Sequence, residues 1–115
     1  MISIKDFQKL DLRIGTVIKA EVPSWSHWVT KLTVDFGQEV GKKTIFAGIM
    51  HFYKPKDLEK KQLPFLINIE PKKIGPEGDF SEGMLLAATH KLKTPMEKPT
   101  LLVVESKVPN GTKIR

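Results

Sequence analysis

The chain opens on a helical pattern and then changes period. Ile4, Phe7 and Leu10 recur at a spacing of three, so residues 3–10 present one apolar side of a short helix. Ser3 stands at the N-cap with Asp6 in the capping-box position. Two turns of helix are not stable alone, so this segment must dock on something. Residues 11–21 alternate instead. Leu12, Ile14, Thr16, Ile18 and Ala20 are set against Arg13, Gly15, Val17, Lys19 and Glu21, which predicts a strand that buries the first set. Gly15 at its middle predicts a bulge or sharp bend. Residues 23–27 interrupt the alternation. Residues 29–36 resume it with Leu32, Val34 and Phe36 inward, 37–41 read as a turn, and 43–49 as a third strand. Pro55 at a first helical turn predicts a short helix over 54–60. A fourth strand follows at 63–69, with Phe65, Ile67 and Ile69 on one face and Asn68 on the other. Residues 70–83 read as a glycine- and proline-bearing loop, 83–89 as a fifth strand and 100–104 as a sixth, before a closing turn at Pro109-Asn110-Gly111.

Three strands, a short helix and two further strands is the element order of the OB-fold, a five-stranded Greek-key β-barrel. The predicted class is therefore all-β, with an added N-terminal helix and an extra C-terminal strand. No repeat or linker divides the chain, so residues 1–115 are read as one domain. At 115 residues it can bury roughly 65% of its unfolded surface and fold without staples.

Composition narrows the function. Cysteine is absent, which excludes a disulfide scaffold, a thiol nucleophile and a thiolate metal site. The longest apolar run, Met84 to Ala88, falls far short of the about 20 residues of a membrane span. No apolar leader follows Met1, so the expected compartment is the cytoplasm, with no membrane partner. Nineteen basic residues against thirteen acidic ones give a net charge of +6, which suits a polyanion such as nucleic acid. The excess is spread evenly rather than carried by a tail.

No residue set points to catalysis. His27, His51 and His90 share no metal-ligand spacing, Ser81 lies outside any G-x-S-x-G elbow, and no cofactor motif is present. The glycines at 75, 78 and 83 lack the Lys-Ser/Thr of a phosphate loop. Asp11 and Arg13 stand two apart on a strand and read as a salt bridge. The chain is expected to be a binder rather than an enzyme. Trp25 and Trp28 lie in a loop beside His27 and Lys31, where exposed aromatics can stack on bases, seat a peptide or plug the barrel. The stretch from 68 to 84 concentrates binding chemistry. It holds the amide of Asn68, the ammonium groups of Lys72 and Lys73, the hydroxyl of Ser81 and the thioether of Met84. Barrel-rim loops are where OB-folds hold single-stranded or looped nucleic acid.

These segments also carry a family resemblance. The run from Phe7 to Val17 is similar to the opening of the EMAP II/methionyl-tRNA synthetase C-terminal type of tRNA-binding domain. The similarity recurs at Leu32-Thr33-Val34-Asp35-Phe36-Gly37, Ala47-Gly48-Ile49, Phe52-Tyr53-Lys54-Pro55-Lys56-Asp57-Leu58 and Asn68-Ile69-Glu70-Pro71-Lys72-Lys73. It is strongest at Ser81-Glu82-Gly83-Met84-Leu85-Leu86-Ala87-Ala88 and ends at Val108-Pro109-Asn110-Gly111-Thr112-Lys113-Ile114. The resemblance implies an OB-fold that binds tRNA by shape and backbone, usually as a homodimer joined near the chain ends. It also implies an RNA site at Asn68, Lys72, Ser81 and Met84, to which Lys73 and Lys31 add charge. An aminoacyl-tRNA synthetase is an implied partner. One segment departs from the family. Where many members carry His-Pro-x-Ala-Asp-Lys-Leu, this chain has a longer, aromatic run from Val22 to Leu32. That run and the Pro-Asn-Gly-Thr-Lys-Ile ending resemble the CsaA branch. For that branch the implied function is an export chaperone that binds unfolded preprotein segments, with Trp25 and Trp28 as its contacts.

Overall fold

The structure is a computed structural model that describes residues 1–90 and 97–115. Five strands form one antiparallel sheet: β1 (Leu12–Glu21), β2 (Thr30–Asp35), β3 (Lys42–Ala47), β4 (Gln62–Leu66) and β7 (Met84–Leu85). Their order is β3-β2-β1-β4-β7. Between β4 and β7 lies a hairpin of β5 (Lys72–Ile74) and β6 (Asp79–Ser81), and β8 (Ala87–Ala88) pairs with β9 (Thr100–Leu101). Three one-turn helices complete the described elements: α1 (Ile4–Phe7), α2 (Gly37–Val40) and α3 (Pro55–Leu58). The sheet curls until the residues just before β7 reach its far edge. The Glu82 N–H donates to Thr44 O at 2.8 Å, and the Thr44 N–H donates back to Glu82 Oε1 at 3.0 Å. The result is a nearly closed barrel of the OB type.

Eleven buried side chains fill it, from Val17 and Ala20 on β1 through Leu32, Val34, Phe36 and Ile45 to Leu63 and Phe65 on β4. Phe36 and Phe65 meet edge to face with ring centroids 5.4 Å apart. Leu58 on α3 is fully buried, so this helix serves as a plug. The α1 capping box forms as expected, with the Asp6 N–H donating to Ser3 Oγ and the Ser3 N–H to Asp6 Oδ2, both at 3.2 Å.

The alternation along β1 is broken where simple period two expected it to continue. Arg13 and Gly15 stand opposite Phe65 and Leu63, so they share the inward face, while Leu12 and Ile14 face the other way. Leu12 and Ile14 are nevertheless buried, at the part of β1 where the C-terminal segment pairs alongside it. The Ile14 N–H donates to Thr112 O at 2.9 Å and the Ile114 N–H to Leu12 O at 2.8 Å. Farther along, Val17 is fully buried and Ile18 is exposed, the reverse of the expectation. The register slips at Val17/Lys19, so the bulge lies beyond Gly15 rather than at it. Gly15 has a different task. A Cβ there would lie 2.5 Å from Val34 Cγ1 and 2.7 Å from the Phe36 ring, so the core occupies the space a side chain would need.

Other departures are local. The turn expected at 37–41 is α2, and the loop expected at 70–83 contains the β5–β6 hairpin. β4 ends at Leu66, which leaves Ile67 half-buried and Ile69 exposed. The single strand expected at 83–89 is split into β7 and β8, and the strand expected at 100–104 stops at Leu101. The closing turn docks on the barrel, where Asn110 Oδ1 accepts from Thr16 Oγ1 at 2.6 Å and from Gln62 Nε2 at 3.0 Å.

Candidate nucleic-acid interface

The hairpin places the lysines of the 68–84 stretch. Its register pairs Lys72 with Ser81, Lys73 with Phe80 and Ile74 with Asp79. Residues directly opposite one another share a face. The Ser81 and Asp79 face lies against the barrel. Ser81 is buried; its Oγ accepts from the Phe46 N–H at 3.0 Å and donates to Gly83 O at 3.1 Å. Asp79 Oδ2 receives Lys31 Nζ at 3.2 Å. The opposite face carries Lys73 and Phe80, and Phe80 is 52% exposed. Lys72, paired with Ser81, stands on the other face and is exposed. The sequence reading missed Phe80; an isolated aromatic in a polar, glycine-bearing run was its only signal.

The remodelled aromatic segment fixes this hairpin in place. Trp25 packs its ring on Gly75, at the hairpin's turn, so closely that no side chain fits there. Gly75 also has φ +75°, a conformation that favours glycine. Trp25 Nε1–H donates to Glu77 Oε1 at 3.1 Å, and the ring lies 6.1 Å from that of Phe46. Trp25 is therefore half-buried between β3 and the hairpin turn, not a free stacking surface. Lys31 is likewise engaged, since its ammonium lies between Asp79 at 3.2 Å and Glu21 at 4.0 Å.

The remaining candidates have separate settings. Asn68 is exposed, yet both ends of its amide are used. Its Oδ1 accepts from the Asp11 N–H at 2.8 Å and its Nδ2 donates to Lys9 O at 2.7 Å. It ties the end of β4 to the α1–β1 connection. Arg13, next to that connection, holds Asp11 Oδ1 at 2.7 Å; this hydrogen bond raises the guanidinium pKa above its ordinary value. Met84 is 43% exposed and lines a groove of about 240 Å³ with Gly48, Leu85, Ala87 and Pro99. Trp28, 62% exposed, leans on Gly48, where a Cβ would come within 2.9 Å of its ring. Thus Lys72, Lys73, Ser81, Lys31 and Trp25 meet at the hairpin, Met84 and Trp28 both border Gly48, and Asn68 is engaged elsewhere. Among the described residues, no cluster of three or more His, Asp or Glu side chains is arranged to hold a metal ion, and no helix is long and apolar enough to cross a membrane.

A nearly closed antiparallel barrel, with a hairpin on its rim that bears two exposed lysines, defines a small module of the OB type. Residues 12–113 match the family described as "Putative tRNA binding domain", and the chain belongs to that family. It is 42% identical over 113 residues to the methionine–tRNA ligase of Archaeoglobus fulgidus, a match that covers 98% of this chain and 16% of that protein. The chain thus spans about one sixth of the length of such a relative. Among solved structures, it is similar to a MetRS-related protein from Pyrococcus horikoshii, with a TM-score of 0.86 and 34% identity over 100% of this chain and 98% of the other. It is also similar to the chaperone CsaA from Bacillus anthracis, with a TM-score of 0.82 and 37% identity over 100% and 99% of the two chains.

Proposed function

We propose that this chain binds tRNA or similarly structured RNA through the rim formed by the β5–β6 hairpin, as a cytoplasmic, non-catalytic homodimer. The observation that carries this reading is the hairpin itself. It holds Lys72 and Lys73 exposed on a rigid support, in a chain with a net charge of +6. Their ammonium groups meet phosphates. Lys31 and Ser81 act behind them, the first by neutralising Asp79 and the second by closing the barrel. Met84 offers an apolar contact at the adjoining groove. Asn68 holds the end of β4 with both ends of its amide. Ile2 and Ile4 near one end, and Leu102 and Val103 near the other, are exposed apolar residues that a second copy would cover. Two linked copies raise affinity through effective concentration. A synthetase is the protein partner this reading favours.

The test is Lys72→Ala with Lys73→Ala, measured on purified bulk tRNA. Binding weakens and its salt dependence falls by about 1.5 in log–log slope, because two phosphate contacts no longer release counterions. Unchanged affinity and slope in a folded protein would remove the hairpin from the site. A second reading rests on Trp28, whose exposed ring leans on Gly48 at the Met84 groove. There the chain takes unfolded preprotein segments as a CsaA-like chaperone, with binding that survives high salt.

A further inference from the structure

Beside the outward face of the hairpin lies an open cleft of about 470 Å³. Its walls include Phe80, Pro71, Thr44, Asp79 and Glu82. Phosphate is repelled by the Glu82 carboxylate, whereas Asp79 is already paired with Lys31. A nucleobase is not repelled: its flat face suits the half-exposed phenyl ring, and its ring N–H and exocyclic amines donate to carboxylate oxygens. Glu82 Oε1 accepts from the Thr44 N–H, which holds this carboxylate beside the cleft. The cations are placed for the rest of the nucleotide. Lys73 stands directly across from Phe80 on the same face, and Lys72, one residue away on the other face, is exposed.

We propose that this cleft takes one unpaired nucleobase of the bound RNA, stacked on Phe80, while Lys72 and Lys73 hold the flanking phosphates. The inference rests on the RNA-binding reading above and adds base contact to what is otherwise recognition of shape and backbone. Trp25 is its positioning residue. By packing on Gly75, donating to Glu77 and resting on Phe46, it fixes the hairpin before the RNA arrives. A stacking surface held in advance loses less conformational entropy on binding than one ordered by its ligand.

The test compares three RNAs by fluorescence anisotropy: bulk tRNA, a single-stranded oligo(A), and a perfectly paired RNA duplex of the same length as the oligo(A). Phe80→Ala weakens binding to oligo(A) and tRNA by roughly 5- to 30-fold, the loss of one base–aromatic stack. It leaves the duplex within about 2-fold and the salt slope unchanged, because no phosphate contact is removed. Phe80→Tyr keeps the ring and keeps the affinity. Phe80 is exposed, so the folded barrel survives both changes, as circular dichroism will report. If Phe80→Ala binds oligo(A) and tRNA normally while Lys72→Ala with Lys73→Ala still loses tRNA, the base site is wrong and the RNA reading stands. If neither variant affects tRNA, the RNA reading itself fails.

Discussion

Ser81 separates two accounts of one residue. The family resemblance puts its hydroxyl against RNA, whereas the structure buries it as the bridge between β6, β3 and β7. Ser81→Ala removes an acceptor for the Phe46 N–H and a donor to Gly83 O, at 3.0 and 3.1 Å. Each buried group left without a partner costs about 1–3 kcal/mol. Phe46 is half-buried, so water can repair part of that loss, whereas Gly83 is buried. A total of about 2 kcal/mol follows. For a chain of 115 residues the unfolding entropy is about 0.24 kcal/mol/K, so the midpoint should fall by about 8 °C. Urea unfolding of the variant should show the same loss with an unchanged m-value, since the surface exposed on unfolding is the same. RNA affinity, measured well below the midpoint, should fall less than 3-fold. A midpoint within 2 °C of the parent combined with a tenfold loss of tRNA affinity would refute the closure argument and return Ser81 to the ligand.

The other substitutions test packing and anchorage. Gly15→Ala forces a methyl group to within 2.5 Å of Val34, and overpacking of this kind costs about 1–3 kcal/mol, read as a lowered urea midpoint. Asn68→Ala breaks both ties to the α1–β1 connection; because the site is exposed to water, the loss should be only about 1 kcal/mol, with faster amide exchange at Asp11. Trp25→Phe keeps a ring against Phe46 but loses the bond to Glu77, so the hairpin amides should exchange faster while the global midpoint moves by less than about 4 °C. Truncating Leu102 and Val103 to serine should lower the dimer fraction in sedimentation without lowering the midpoint of the monomer, since both side chains are exposed.

What the sequence made legible follows from how regular each element is. β2 alternates cleanly, because one face meets the core and the other meets solvent, and its inward set Leu32, Val34 and Phe36 is as predicted. β1 also has two buried sides, but they belong to two different packing layers. Leu12 and Ile14 are buried outside the barrel core, where the C-terminal segment pairs with the strand, and Val17 and Ala20 pack inside the barrel. A single period cannot describe a strand that changes layers, and so the phase of Val17 and Ile18 was inverted. The hairpin was invisible for another reason. Strands of three residues, Lys72–Ile74 and Asp79–Ser81, are too short to show alternation, and a turn rich in glycine and proline resembles any loop. At the rim, residue types were readable and their engagements were not. Lys31, Trp25 and Asn68 all carry binding chemistry, and all three spend it on long-range contacts within the chain. Such contacts are set by the closed barrel and leave no local signature.

The central claim is that a fixed hairpin presenting Lys72 and Lys73 makes this barrel an RNA binder. The most direct test is a salt titration of binding to bulk tRNA, with an unfolded preprotein segment run in parallel. The account predicts that tRNA binds and that log K falls linearly with log salt, with a slope equivalent to roughly three to six phosphate contacts. It also predicts that the peptide binds weakly or not at all. Absent tRNA binding at low salt, together with peptide binding that persists at high salt, would contradict it and would shift the site to Trp28 and the Met84 groove.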